Sequence, residues 1–544
     1  MLLGILINNG IVKTQNRNRI PSEKPKLIIG ITIDQMRYDY LQRYWSDFEA
    51  GGFKRLMNEG TICRDTRINY TFTRSAVGHA SIATGAYPSG HGIISDEWYI
   101  NLEDRVVNCT EDKNQETVGG SFEAGLHSPK RLMTTTFADE LKLSNNKKSK
   151  TFGISFEPHE AVLSAGHTAD GAYWFDKVNG NWVSSSFYID SLPVWVHDFN
   201  EKRFPDTYLE QIWDPLYPLE NYDESLQFND KYESGLNNKK AFPYELEKLQ
   251  KKYDSQSKYE LLQIVPFGNN YTKDFAIATI VNEELGMDDY TDFLSVSFSS
   301  NAAISKRFGP TSVELQDTYL RLDKDLAHFL SFVDETIGKE NVLIYLTAPN
   351  GVSHIPEYLL DSKIPGGYFN AYAAISLLKS YLNVVYGEGD WVTFYHANQI
   401  YLDRQLIEDS KYSLEDVQTK IALFMIQFEG IANTVTATTL HTRNFTQGIL
   451  EKIQNGYNQK HSGDVIITLK PGWVEKSEYT TGDNSAYTYD AHVPLVWYGW
   501  KIGREKIYRE IEIIDIASTI ATFLNISYPG ANSGHPILEM IVTP

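Results

Sequence analysis

Two residues near the start of the chain carry side chains placed to do chemistry. Asp34 closes the apolar run Leu27-Ile-Ile-Gly-Ile-Thr-Ile33. A carboxylate there can ligate a metal or cap the helix that follows, and capping is the default for Asp. Ser75 stands in Asn69-Tyr-Thr-Phe-Thr-Arg-Ser75-Ala-Val-Gly-His79, ahead of small residues. It reads as a helix N-cap, or as a nucleophile beside a helix N-terminus that steadies a phosphate. A third stretch, Asn341 to Gly351, reads as a buried strand that delivers Pro349 and Asn350 to the loop at its carboxyl end. Proline has no ligand atom, and a neutral amide is a poor zinc ligand. His79, His91, His167 and His354 show no close metal-ligand spacing and read as structural. Nothing supports a nucleotide loop or a cysteine-rich zinc site.

These residues need a scaffold. β-Branched runs at Leu27–Ile33, Asp292–Phe298 and Asn341–Leu346 read as strands, as do Asp464–Leu469 and Val493–Tyr498. Helical spacing appears over Phe53–Glu59, Asp317–Ile337 and Leu414–Phe428. Apolar strands alternating with helices predict an α/β fold, a mostly parallel central sheet with helices on both faces. In such sheets ligands bind beyond the carboxyl ends of the strands, where Asp34, Pro349 and Asn350 fall. The polar, Tyr-rich stretch 171–289 is expected to form an inserted cap, and 391–438 a smaller insert. The main domain is expected to span 24–544, after an apolar and then Asn-rich start, 1–23, that reads as a leader remnant or a frayed terminus.

The chain has 544 residues, 42% apolar and 13% aromatic, so a large packed core is expected. A formal charge of −20 speaks against nucleic acid as a partner. No apolar run is long enough to span a membrane as a helix. Cys63 and Cys109 fit a disulfide or two buried thiols equally.

Several segments together resemble the alkaline phosphatase superfamily, closest to the bacterial phosphate-irrepressible alkaline phosphatases. They are Lys24 to Arg37, the Ser75 segment, Pro88-Ser-Gly-His-Gly-Ile93, Ala165 to Asp176, Phe308-Gly-Pro310 with Asp317 to Asp323, Tyr489 to Pro494, and Ile514 to Ile526. The resemblance runs from Lys24 to the end and implies that superfamily's fold, with two zinc ions flanking a Thr or Ser nucleophile. Carried over residue by residue, it makes Ser75 the nucleophile, Asp34 a ligand of the first zinc and His492 a ligand of the second. Pro349 and Asn350 replace the Asp and His that complete the first zinc site. Ala302 and Lys306 replace an Asp and a His of the second. Of the phosphate-clamping residues, Glu157 replaces a Lys, His159 an Arg and Asp96 an Asn.

The expectation is therefore a pseudoenzyme. The phosphatase fold is kept and the zinc site dismantled, with Asp34 and Ser75 persisting as helix caps and His492 as a hydrogen-bonded core residue. No cofactor is expected, or at most one zinc, and the role is that of a binding or assembly partner for a protein or ligand. The alternative is a weak or reduced-metal phosphomonoesterase with Ser75 as nucleophile, in which Lys306 supplies positive charge and accepts the Ser75 proton. The resemblance places the protein in the periplasm or outside the cell, with a truncated signal peptide.

Overall fold

A computed structural model describes residues 23–540, apart from 102, 227–231, 238, 254–256, 478 and 480. The expected leader, 1–23, lies outside the described residues except for Glu23. A ten-stranded sheet organises the chain. Across it run Lys506–Glu512, Thr61–Arg67, His492–Gly499, Val342–Thr347, Leu27–Ile33, Asp292–Phe298, Thr151–Ile154, Gly171–Phe175, Trp182–Ser185 and Thr117–Val118. The middle, from Val342–Thr347 to Gly171–Phe175, is parallel. The flanks bring antiparallel pairs, so the sheet is mixed, with a parallel centre. The Leu27–Ile33 strand is buried at every position, as both-face coverage requires. The Asp317–Ile337 pattern forms Val313–Thr336, a helix whose apolar stripe joins the main core.

Two boundaries differ from the sequence expectation. Residues 171–185 are sheet strands, not cap. The polar stretch after them does not stand off as a lid: its helix Phe267–Asn282 packs against Val313–Thr336 and Asp292–Phe298. Trp182 stacks on Phe275 at 4.3 Å, which pins this layer to the sheet. Its buried aromatics recur without clear helical period, and that hid them in the sequence. The second insert is larger than 391–438. Val392–His396, Gln399–Leu402, Val465–Leu469 and Ile431–Thr436 form a separate four-stranded sheet. Helices Ala371–Tyr386 and Leu414–Met425 share a core with it through Leu378, Leu382, Val417 and Ile421. The expected strand 464–469 thus belongs to this subdomain and not to the main sheet.

Cys63 and Cys109 are buried free thiols in different core clusters.

Candidate active site

Ser75 is the first residue of helix Ser75–Thr84, and Arg74 holds the cap position without a side-chain capping bond. The capping role expected of Ser75 is therefore not what its hydroxyl does. It donates to Glu160 Oε1 at 3.1 Å. Glu160 lies on the adjacent helix Pro158–Ala165 and is 1% exposed. Its other oxygen, Oε2, accepts from Ser155 at 2.7 Å, Ser297 at 2.5 Å and Ser299 at 3.0 Å. Burial works to raise the Glu160 pKa. The imidazoles of His79 and His159 and the hydroxyls of Ser297 and Ser155 outweigh it and hold the group below the usual glutamate value.

Asp34 ends its strand as expected, its amide bonded to Phe298 O at 3.2 Å. It caps no helix: the next one is Tyr40–Arg43, with Asp39 at the cap position. Asp34 is buried, and Oδ1 has no hydrogen-bond partner. Burial, then the charge of Glu160, pushes its pKa well above the usual carboxylate range, against the pull of Lys306. Gln35, directly after it, sits at φ 56°, a left-handed conformation uncommon for a side-chain-bearing residue.

Ala302 and Lys306 lie one turn apart on helix Ser300–Phe308 and share a face. Lys306 Nζ is 3.9 Å from Asp483 Oδ2, and Asp483 also takes Arg74 Nη1 at 2.9 Å and Gln35 Nε2 at 2.9 Å. Asn350 Nδ2 reaches the same carboxylate at 3.4 Å. Arg74 and Lys306 hold Asp483 ionised, below the usual aspartate value, despite its burial. Asp483, Asp34 and Asp96 in turn raise the Lys306 pKa against the opposing effect of burial. The Ser75 hydroxyl donates to Glu160, and not to the Lys306 that the alternative reading pairs with it.

Pro349 packs on the Ser75 helix. A Cβ on Gly78 would come within 2.2 Å of Pro349 O, so the helix needs glycine there to let the loop approach. Asn350 is fully buried; its Oδ1 has no partner, and its Nδ2 also bonds Gly351 O at 3.0 Å.

His492 is hydrogen-bonded and half-buried. Its ring stacks on Tyr38 at 4.3 Å and its Nε2 pairs with Arg64 O at 3.1 Å. The side chain that this part of the chain presents to Lys306 and Asn350 is Asp483, nine residues earlier, in a loop with no periodicity to mark it. Glu160 and Arg74 were also missed, although both adjoin residues singled out in the sequence. Of the clamp positions, Asp96 Oδ1 accepts from the Ala76 amide at 3.0 Å. Glu157 accepts from Gln263 at 3.4 Å, and burial raises its pKa. His159 Nε2 is buried without a partner. The remaining histidines are structural, as expected. His91 pairs with Ser81 at 3.0 Å, His167 with Asp139 at 3.0 Å and His354 with Arg37 at 3.1 Å. His79 bonds Ser164 at 3.0 Å.

This donor set does not fit a two-zinc centre. Asp34 is a usable ligand and Glu160, Asp483 and Asp96 lie near enough to act on its charge, but the positions that the resemblance marks as further ligands carry an ammonium, an amide, a proline and an alanine. Among the described residues, no group of three or more His, Cys, Asp or Glu side chains is placed to hold a metal. What the arrangement offers instead is a serine held by a buried carboxylate, beside a Lys306–Asp483–Arg74 charge cluster.

The type I phosphodiesterase / nucleotide pyrophosphatase family matches residues 28–494. Alkaline phosphatase PhoV of Synechococcus elongatus is 40% identical over 520 residues, covering 95% of this chain and 93% of the relative. Alkaline phosphatase PafA of Elizabethkingia meningoseptica is 36% identical over 549 residues, covering 99% and 98%. The crystal structure of wild-type PafA superposes with a TM-score of 0.92 at 36% identity, covering 96% of this chain and 100% of that one. On the strength of fold, sequence and the position of Ser75 together, the chain belongs to the type I phosphodiesterase / nucleotide pyrophosphatase family, within the alkaline phosphatase superfamily.

Proposed function

We propose that this protein is a phosphoesterase-fold member that has left two-zinc catalysis and uses the retained cleft around Ser75 for binding or assembly. The reading rests on Lys306: the resemblance puts it where the family has a zinc-ligating His, and its ammonium lies 3.9 Å from Asp483 in a cluster shared with Arg74. An ammonium cannot donate a lone pair to a metal. The resemblance further puts the carboxyl groups of Asp96 and Glu157 at positions where the family contacts phosphate, which would disfavour a dianion there. Like charges about 4 Å apart repel by about 1 kcal/mol in water-like surroundings and by more in a cleft. Export to the periplasm or beyond belongs to the same proposal and rests on the resemblance. Among the described residues, no helix is long and apolar enough to cross a membrane.

The second reading is a weak or reduced-metal phosphomonoesterase with Ser75 as nucleophile. The named activity of the relatives supports it, and supports it better than it supports loss of activity. The donor set supports the first reading. One experiment separates the two. Purified protein is incubated with excess zinc and desalted, metal is measured by elemental mass spectrometry, and phosphate-ester turnover is assayed alongside Ser75→Ala. No retained zinc and no Ser75-dependent turnover of dianionic phosphate monoesters is the expected outcome. Near one zinc per chain, lost in Asp34→Ala and accompanied by Ser75-dependent turnover, would replace the first reading with the second.

A further inference from the structure

The Ser75–Glu160 pair is built as a nucleophile and its proton acceptor. Three serine hydroxyls fix Glu160 Oε2, whereas Ser75 is the hydrogen-bonding side chain found at Oε1. The carboxylate is thus anchored at one oxygen and presents the other to a half-buried serine. A general base must lie within hydrogen-bond reach of the proton it removes and be oriented by further groups, and Glu160 meets both conditions.

The surroundings select the charge of what Ser75 can attack. The Ala76 amide, near the start of the Ser75 helix, is already committed to Asp96 Oδ1. Glu157 lies on the same side, at the start of the Glu160 helix. Lys306 and Arg74, the cations of the cleft, share Asp483 as counter-ion. An approaching anion would meet carboxylates and committed donors, whereas an uncharged electrophile pays no such electrostatic penalty.

We propose that Glu160 serves as the general base for Ser75 in a metal-independent reaction with uncharged phosphoryl esters. Ser75 Oγ bonds to phosphorus, its hydroxyl proton passes to Glu160 Oε1, and the bond from phosphorus to the leaving group breaks, the leaving group departing with the electron pair. With a dialkyl fluorophosphate, the group that leaves is fluoride.

The test uses the full chain, desalted in the presence of a chelator. It is exposed to diisopropyl fluorophosphate and followed by intact mass and peptide mapping. The expected result is one adduct, at Ser75, absent in Ser75→Ala and formed at an unchanged rate with or without chelator. Glu160→Gln, which keeps size but not charge, and Glu160→Asp, which keeps charge but shortens the reach, should each slow labelling at least tenfold. Circular dichroism identifies which variants are folded, and either folded one decides. No adduct at Ser75 in the wild-type chain, wild-type labelling in a folded Glu160 variant, or labelling that requires zinc would each overturn the proposal. Zinc content is read separately, so failure here leaves the loss of two-zinc catalysis standing on its own test.

Discussion

Arg74 Nη1 lies 2.9 Å from Asp483 Oδ1, and the other oxygen of the same carboxylate faces Lys306 at 3.9 Å. One buried aspartate is therefore shared by two cations drawn from the Ser75 segment and from helix Ser300–Phe308. Removing one partner of such a cluster leaves the others uncompensated. Asp483→Ala should destabilise the fold by about 1–3 kcal/mol, discounted because Arg74 and Lys306 are about one-third exposed. Asp483→Ala with Arg74→Met and Lys306→Met should recover part of that loss. Urea denaturation of the wild-type chain, Asp483→Ala, the Arg74→Met/Lys306→Met pair and the combined variant measures the coupling, and simple additivity would refute it.

Asp34→Asn should stabilise the protein at neutral pH. The folded-state pKa of Asp34 is raised by burial first and by Glu160 second, so its contribution is fully present below the unfolded value of 3.8. That contribution is lost as pH rises towards the folded pKa. At pH 7.5 the neutral amide removes this liability, a gain of about 1–3 kcal/mol. The gain should shrink towards zero as pH approaches 3.8. Were Asp34 holding zinc, the same substitution would lower the melting temperature of zinc-treated protein, so a thermal melt with and without zinc distinguishes the cases.

His91 is a buried, neutral imidazole. Burial lowers its pKa from 6.5 to about 3. A histidine with a depressed folded pKa contributes stability fully above the unfolded value, and loses it as pH falls from 6.5 towards the folded one. The slope is about 1.4 kcal/mol per pH unit for one such group. Between pH 6.5 and 5, His91→Asn should therefore lose about 2 kcal/mol less than the wild-type chain. Chemical denaturation at the two pH values provides the comparison, and equal losses would mean that His91 is not held neutral.

Gly78 tests the contact between the Ser75 helix and the loop that carries Pro349 and Asn350. An added Cβ meets backbone at 2.2 Å, and backbone cannot swing aside as a side chain can. Gly78→Ala should cost about 2–4 kcal/mol, although alanine is the better helix former. A melting temperature equal to or above that of the wild-type chain would show that this packing is loose.

Much of the scaffold was legible in the chain itself. The runs at Leu27–Ile33 and Asp292–Phe298 were strands because continuous β-branched residues suit a sheet buried on both faces. Pro349, Asn350, Ala302 and Lys306, at positions marked by the resemblance, were visible as residue types, and residue type alone rules out metal ligation at a proline or an ammonium. Tertiary structure decided which groups fill the space. Asp483 lies in an irregular loop, and no pattern announces that it closes on Arg74 and Lys306 across the sheet. Nor does any pattern turn His492 towards Tyr38 and Arg64. The environment of Glu160 is assembled from Ser155 at the end of one strand and from Ser297 and Ser299 at the end of its neighbour, so its role exists once the two strands pair. Sequence determines what each side chain can do. Long-range packing, which brings together residues hundreds of positions apart, decides which of those capacities meet.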